Sequence, residues 1–193
     1  MARPREFDEK QALMAAMHVF WNKGYARTSL NDLLRVTGLS KSSLYETFGD
    51  KRKLFMAAYE VYRQERMQTL RGYLRSQPTA FASIRSFFET VLEHAKRDDK
   101  PFGCMSCNEA VEFGPHDPEL QELIQLDFQG MEAAFADAVK EGRQDGSITS
   151  TLSDEALASL LTVNHQGLQI MARSRMDPNR LQMAVAAMLT VLK

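Results

Sequence analysis

Leu33-Leu34-Arg35-Val36-Thr37-Gly38-Leu39-Ser40-Lys41-Ser42-Ser43-Leu44-Tyr45-Glu46-Thr47-Phe48, followed by Gly49-Asp50-Lys51, is the stretch around which the chain is organised. Leu30, Leu33 and Leu34 fall at helical spacing before the turn, and Leu39, Leu44 and Phe48 continue the buried side after it. Gly38 stands where a sharp helix-to-helix turn needs a positive φ, which is cheap only for glycine. Ser40 then supplies a hydroxyl N-cap to the second helix. With Leu44 and Phe48 turned inward, Lys41, Ser42, Ser43, Tyr45 and Thr47 are left on the other faces. A helix-turn-helix lays its second helix in the major groove of DNA, N-terminal residues first, so these side chains are the predicted base and phosphate contacts.

Upstream, Leu13, Ala16, Met17 and Phe20 form a stripe at i, i+3, i+4 and i+7, predicting a first amphipathic helix over 8–22 that ends at Gly24. Arg3 and Arg5 precede it as a basic arm of the kind that can enter a minor groove. Ser29 and Asp32 have capping-box spacing for the next helix. Thr28 and Ser29 at that N-terminus are therefore candidate phosphate contacts as well as caps. Downstream, Asp50 caps a helix opening with Lys51-Arg52-Lys53. Three cations in a first turn oppose the helix dipole, and a DNA phosphate would compensate them.

Charge distribution agrees with a polyanion-binding head. Residues 1–75 hold 14 Lys plus Arg against 8 Asp plus Glu, whereas the remainder holds 10 against 17, within a net charge of −1 over 193 residues. At 44% apolar and 25% charged residues the composition is that of a globular chain. No apolar run nears the roughly 18 residues of a membrane helix, and no signal peptide opens the chain, so no membrane partner is expected and the cytoplasm is the expected location. The two cysteines are then expected to be thiols.

With Gly24, Tyr25, Thr28, Gly38, Ser40-Lys41, Leu44-Tyr45, Phe48 and Lys51 in place, residues 8–58 resemble the TetR family of bacterial transcriptional repressors. The resemblance implies an all-α fold of about nine helices. A three-helix helix-turn-helix DNA-binding domain would occupy 1–52, and an effector-binding and dimerisation domain 53–193. It also implies a homodimer on a palindromic double-stranded DNA operator, with Tyr45 on the backbone and Lys51 on a phosphate. Glu46 and Thr47 depart from the residues frequent in the family, which leaves the operator sequence open. The last two helices would pair between subunits, with Leu157, Leu161, Asn164, Leu168, Leu181, Val185 and Met188 as candidate interface residues, and Gly167, Ala184, Ala186 and Ala187 permitting close approach.

The helices between would enclose a small-molecule effector, apolar or aromatic in character, with Phe87, Phe88, Met105, Cys107, Asn108, Phe128 and Met131 as candidate lining. Cys104 and Cys107 form a C-x-x-C near a helix start, where the dipole lowers a thiol pKa. Buried packing, a thiol or electrophile switch, and metal binding all fit that motif; no cofactor or metal is expected, since zinc would want four ligands. A C-x-x-C peroxidase is the remote enzymatic alternative, but that family places a histidine one turn beyond the second cysteine, where Ala110 and Val111 stand here. No nucleophile triad, phosphate loop or paired carboxylates appear, so no enzymatic activity is expected.

Overall fold

The computed structural model describes residues 8–97, 102–113 and 116–193. The arm bearing Arg3 and Arg5, the charged loop at 98–101 and the Gly114-Pro115 break lie outside the described residues. Nine helices follow one another among the described residues: α1 Glu9–Lys23, α2 Leu30–Thr37, α3 Lys41–Phe48, α4 Lys51–Tyr73, α5 Ala80–Arg97, α6 Met105–Phe113, α7 Pro118–Gln144, α8 Asp154–Arg173 and α9 Pro178–Thr190. The described residues contain no strand.

Local chemistry sets the helix ends. Ser29 and Asp32 close a reciprocal capping box at the start of α2, and Gly38 takes φ 69° and ψ 8°, the left-handed conformation that lets α3 leave at an angle. Ser40 Oγ accepts from Ser43 N at 3.1 Å to start α3. Asp50 accepts from Lys53 N at 2.8 Å to start α4. α5 has a local cap, Thr79 Oγ1 accepting from Ala82 N at 3.3 Å, and is also tied to the α7–α8 connection: Ala80 N donates to Asp145 Oδ2 at 2.8 Å and Phe81 N to Ser147 Oγ at 3.2 Å.

Two apolar clusters organise the packing. One joins Phe20, Leu33, Leu44 and Phe48 of the first three helices to Phe55, Tyr59 and Tyr62 of α4, Met105 of α6, and Leu120 and Ile124 of α7. The other gathers α5, the second half of α7, α8 and α9 around Phe88, Phe135, Leu157, Leu161 and Val185. Helix α4 contributes to both, through Phe55 and Tyr62 at one end and Leu70 at the other. The head is thus seated on the body through shared core.

Candidate DNA-binding surface and effector cavity

Lys41, Ser42 and Tyr45 are exposed on α3, Ser43 and Thr47 are half-buried beside them, and Leu44 and Phe48 are buried beneath. Ser40 Oγ lies 3.0 Å from Ser42 Oγ and 2.9 Å from Ser43 Oγ, so three hydroxyls cluster at the exposed start of the helix. Lys41 Nζ stands 5.9 Å from the Tyr45 ring centroid, within range of a cation–π contact. Ser29 is exposed and committed to its capping box.

Two expected contacts face inward. Thr28 is 1% exposed, and its hydroxyl donates to Gly24 O at 2.7 Å. This geometry makes it a turn lock between α1 and α2. Lys51 is half-buried, with Nζ donating to Tyr25 O at 2.7 Å and lying 4.3 Å from the Tyr25 ring centroid; burial lowers its pKa against the opposing charge of Glu112. The next cation of the α4 start, Arg52, is compensated from within the chain. It forms a bidentate pair with Asp117 at the start of α7 and reaches Glu119 Oε2 at 3.0 Å. Of the three dipole-opposing cations, Arg52 therefore finds its anions on α7 even without DNA, and Lys51 lies near Glu112 of α6.

Helix α6 holds the head from the other side. Glu112 accepts from Tyr25 N at 3.1 Å and Ala26 N at 2.6 Å, capping the α1–α2 connection, and a side chain at Gly24 would run into the same carboxylate. Trp21 Nε1 of α1 donates to Gly103 O at 3.0 Å, just before α6.

A cavity of about 430 Å³ lies at this junction. Its wall combines Met17, His18 and Trp21 of α1 with Tyr62, Arg66 and Tyr73 of α4, Phe87 and Val91 of α5, Phe102 to Cys104, Met131 of α7, and His165 and Gln169 of α8. Of the expected lining residues, Phe87 and Met131 are on this wall. Phe88 is fully buried in the body core, Met105 is fully buried in the head-side core, and Phe128 packs against the same head-side core. Asn108 is turned away to bond Phe102 O at 3.0 Å, and Cys107 gives way to Cys104 as the cavity cysteine.

Behind the cavity runs a buried polar chain. Arg66 Nη1 pairs with Asp127 Oδ2 at 2.8 Å and lies 2.9 Å from Cys104 Sγ. Ser106 Oγ donates to Asp127 Oδ2 at 2.6 Å and accepts from Tyr59 OH at 2.9 Å. Tyr62 OH accepts from Met105 N at 3.0 Å and lies 3.6 Å from Cys104 Sγ. Burial alone would push the Cys104 thiol up, but a hydrogen bond from Cys107, the Arg66 charge and the Tyr62 hydroxyl draw it below its usual value. Cys107 is the member that keeps its proton, raised by its bond to Cys104 and by burial, with Sγ 2.9 Å from Gln166 Oε1. Arg66 and Asp127 escaped sequence reading although both fall on apolar stripes, Arg66 in register with Tyr59, Tyr62 and Leu70, and Asp127 with Leu120, Ile124 and Met131. A charged residue on a core stripe is the signal that would have marked them.

The expected interface residues lie largely inside the protomer. Leu157, Leu161, Leu168, Leu181, Val185 and Met188 are buried within the protomer, and Asn164 Nδ2 bonds Leu160 O at 2.8 Å. The large apolar residues left exposed on α8 and α9 are Val163, 67% exposed, Ile170, Met171 and Met183, 65% exposed, with Ala184, Ala186 and Ala187 exposed beside Met183.

Residues 80–188, more than half the chain, match the family model for the tetracyclin repressor-like C-terminal domain, and residues 6–58 match that of bacterial regulatory proteins of the tetR family. The chain belongs to the TetR family. It is 32% identical over its whole length, and over the whole of the relative, to the uncharacterized HTH-type transcriptional regulator YezE of Bacillus subtilis. It is 27% identical to the HTH-type transcriptional repressor ComR of Escherichia coli over 172 residues, 89% of this chain and 82% of that one. Its fold superposes with a TM-score of 0.85 and 26% identity, over all of both chains, on a cysteine mutant of the TetR-family regulator CifR complexed with 26-base-pair double-strand operator DNA. With no described helix long and apolar enough to cross a membrane, the TetR-family chain presents a basic head, a head-to-body latch and a cavity between them.

Proposed function

We propose that this chain is a homodimeric, operator-binding repressor of transcription in the cytoplasm, released from DNA by a small apolar or aromatic effector in the cavity. The observation that carries the reading is the cavity wall itself, where Met17, His18 and Trp21 of the head meet body residues from α4, α5, α7 and α8. A ligand there touches the head directly. A ligand that prefers one head position over another must change operator affinity by the same factor by which DNA changes ligand affinity. The repressor ComR and the operator-bound CifR structure support the DNA side of this reading.

Lys41, Ser42, Ser43, Tyr45 and Thr47 are the side chains offered to the groove, with Ser29 beside them. Lys51 joins them by exchanging the Tyr25 carbonyl for a phosphate oxygen. Dimerisation uses the outward stripes: Val163, Gly167, Ile170 and Met171 on α8, and Met183, Ala186 and Ala187 on α9. Their spacing puts each set on one face, and the small residues allow close approach. Two heads in a twofold dimer would read half-sites about one helical turn apart.

The test is binding of DNA flanking the gene, measured by fluorescence anisotropy at several salt concentrations. Lys41→Ala and Lys51→Ala should each weaken binding across sequences and reduce the slope of log affinity against log salt by about 1. Absence of saturable binding to any flanking fragment would overturn the repressor reading, and an unchanged slope in Lys51→Ala would show that Lys51 stays on Tyr25.

A further inference from the structure

Cys104 and His165 stand on the wall of the same cavity, and together they specify a ligand more narrowly than its apolar lining does. His165 is 3% exposed. Burial, followed by the nearby Arg66 charge, holds its pKa well below the usual histidine value, so the ring is neutral. The Gln169 amide lies 3.2 Å from Nε2 as its donor, which puts the imidazole proton on Nδ1. That Nδ1 has no hydrogen-bond partner. A buried donor without an acceptor is unfavourable, and a carbonyl oxygen would relieve it. Cys104 supplies the second half of the site, a sulfur held against a guanidinium at 2.9 Å and a phenol at 3.6 Å. Cys107 is off the wall.

We propose that the cavity captures α,β-unsaturated carbonyl compounds covalently, with Cys104 as the nucleophile, the His165 imidazole as the carbonyl anchor and Trp21 as the group that passes the event to the head. The proposal rests on the cavity being the effector site. The Cys104 thiolate adds to the β-carbon and forms a carbon–sulfur bond. The carbon–carbon π pair moves toward the carbonyl oxygen, where His165 Nδ1–H stabilises the developing enolate. The enolate takes one proton from solvent at its α-carbon, matching the proton that the thiol lost on ionising. The product is a thioether, and no external oxidant or reductant takes part.

The new substituent acts on a segment with little room. Gly103 has φ 69°, and a Cβ placed there would lie 3.2 Å from Gln169 O and 3.3 Å from Arg173 Cβ, so the residues before Cys104 are pressed on α8 on one side. On the other they hold Trp21 through the 3.0 Å bond to Gly103 O, and Trp21 packs edge-on to Tyr62 with centroids 5.1 Å apart. A thioether at Cys104 displaces this indole, and α1 moves with it.

Trp21 is the chain's one tryptophan, so its emission reports the step directly. Full-length protein is treated with benzylideneacetone or with its saturated counterpart benzylacetone, then followed by intact mass, tryptophan emission and operator anisotropy. The enone should add one reagent mass to wild type and to Cys107→Ser, none to Cys104→Ser, and shift the emission. It should also weaken operator binding at least about tenfold in wild type. Benzylacetone should do far less, a comparison made on wild type and independent of how the variants fold. Equal release by benzylacetone would overturn the covalent proposal while leaving the cavity as effector site. Alkylation of Cys104 with unchanged emission and operator affinity would overturn the effector-site reading as well. Wild type that gains no mass, or gains it at Cys107, would overturn the assignment of Cys104.

Discussion

Replacing Asp127 by alanine removes one half of a buried ion pair. The Arg66 side chain is 11% exposed and that of Asp127 1%, and their contact is 2.8 Å. Breaking such a pair from one side costs about 3–5 kcal/mol, because a charge stays buried without its counter-charge. Here Arg66 keeps the Cys104 sulfur at 2.9 Å, which places the expected loss near the lower bound, about 3 kcal/mol. A urea slope of about 3 kcal/mol per M converts this into a midpoint lowered by about 1 M. The assay is urea unfolding at fixed protomer concentration, since dimerisation would otherwise enter the midpoint. Arg66→Met combined with Asp127→Ala should recover most of the loss, and Cys104→Ser should cost more in the Asp127→Ala background than in wild type. A loss below about 1 kcal/mol, or strict additivity of the two substitutions, would refute the buried pair as the centre of this network.

Other perturbations test the remaining joints. Glu109 is fully buried, neither carboxyl oxygen has a partner, and burial followed by Glu112 raises its pKa to about 8. The folded chain thus holds a proton that the unfolded chain releases near 4.5, so stability should fall as pH rises through that window toward 8, by up to about 1.4 kcal/mol per pH unit. Glu109→Gln should flatten this dependence in thermal melts across the same range; an unchanged slope would place the effect elsewhere. Val163→Arg should turn the proposed dimer into a sedimenting monomer with little change in protomer helicity, while Leu161→Ala should cost about 2–5 kcal/mol of stability through the core. Gly24→Ala should strain a φ of 79° and meet Glu112 Oε2, lowering the melting temperature and operator affinity together. Preserved affinity in that variant would separate the α6 latch from DNA binding.

Much of the fold was legible because its signals are local. The serine caps at 29 and 40, Gly38 and the stripe through Leu33, Leu44 and Phe48 act over a few residues, so periodicity and capping chemistry place the helix-turn-helix without knowledge of what packs on it. Basic residues in the first 75 gave the head its polarity for the same reason. The facing of α8 and α9 was not legible, since both helices carry apolar residues on several faces and only packing decides that Leu161 is buried while Val163 is exposed.

Sequence alone determined the helical class, the position of the helix-turn-helix and the presence of a C-x-x-C at the start of a helix. Tertiary structure alone decided which cysteine meets the cavity, because that cavity is assembled from α1, α4, α5, α7, α8 and the segment before α6, far apart in the chain. It also decided that Lys51 rests on Tyr25, that Arg52 is answered by Asp117, and that Arg66 balances Asp127 and Cys104 together. Periodicity records whether a residue faces a core. The identity of the charge waiting on the other side is fixed only when distant helices are brought within about 3 Å of one another.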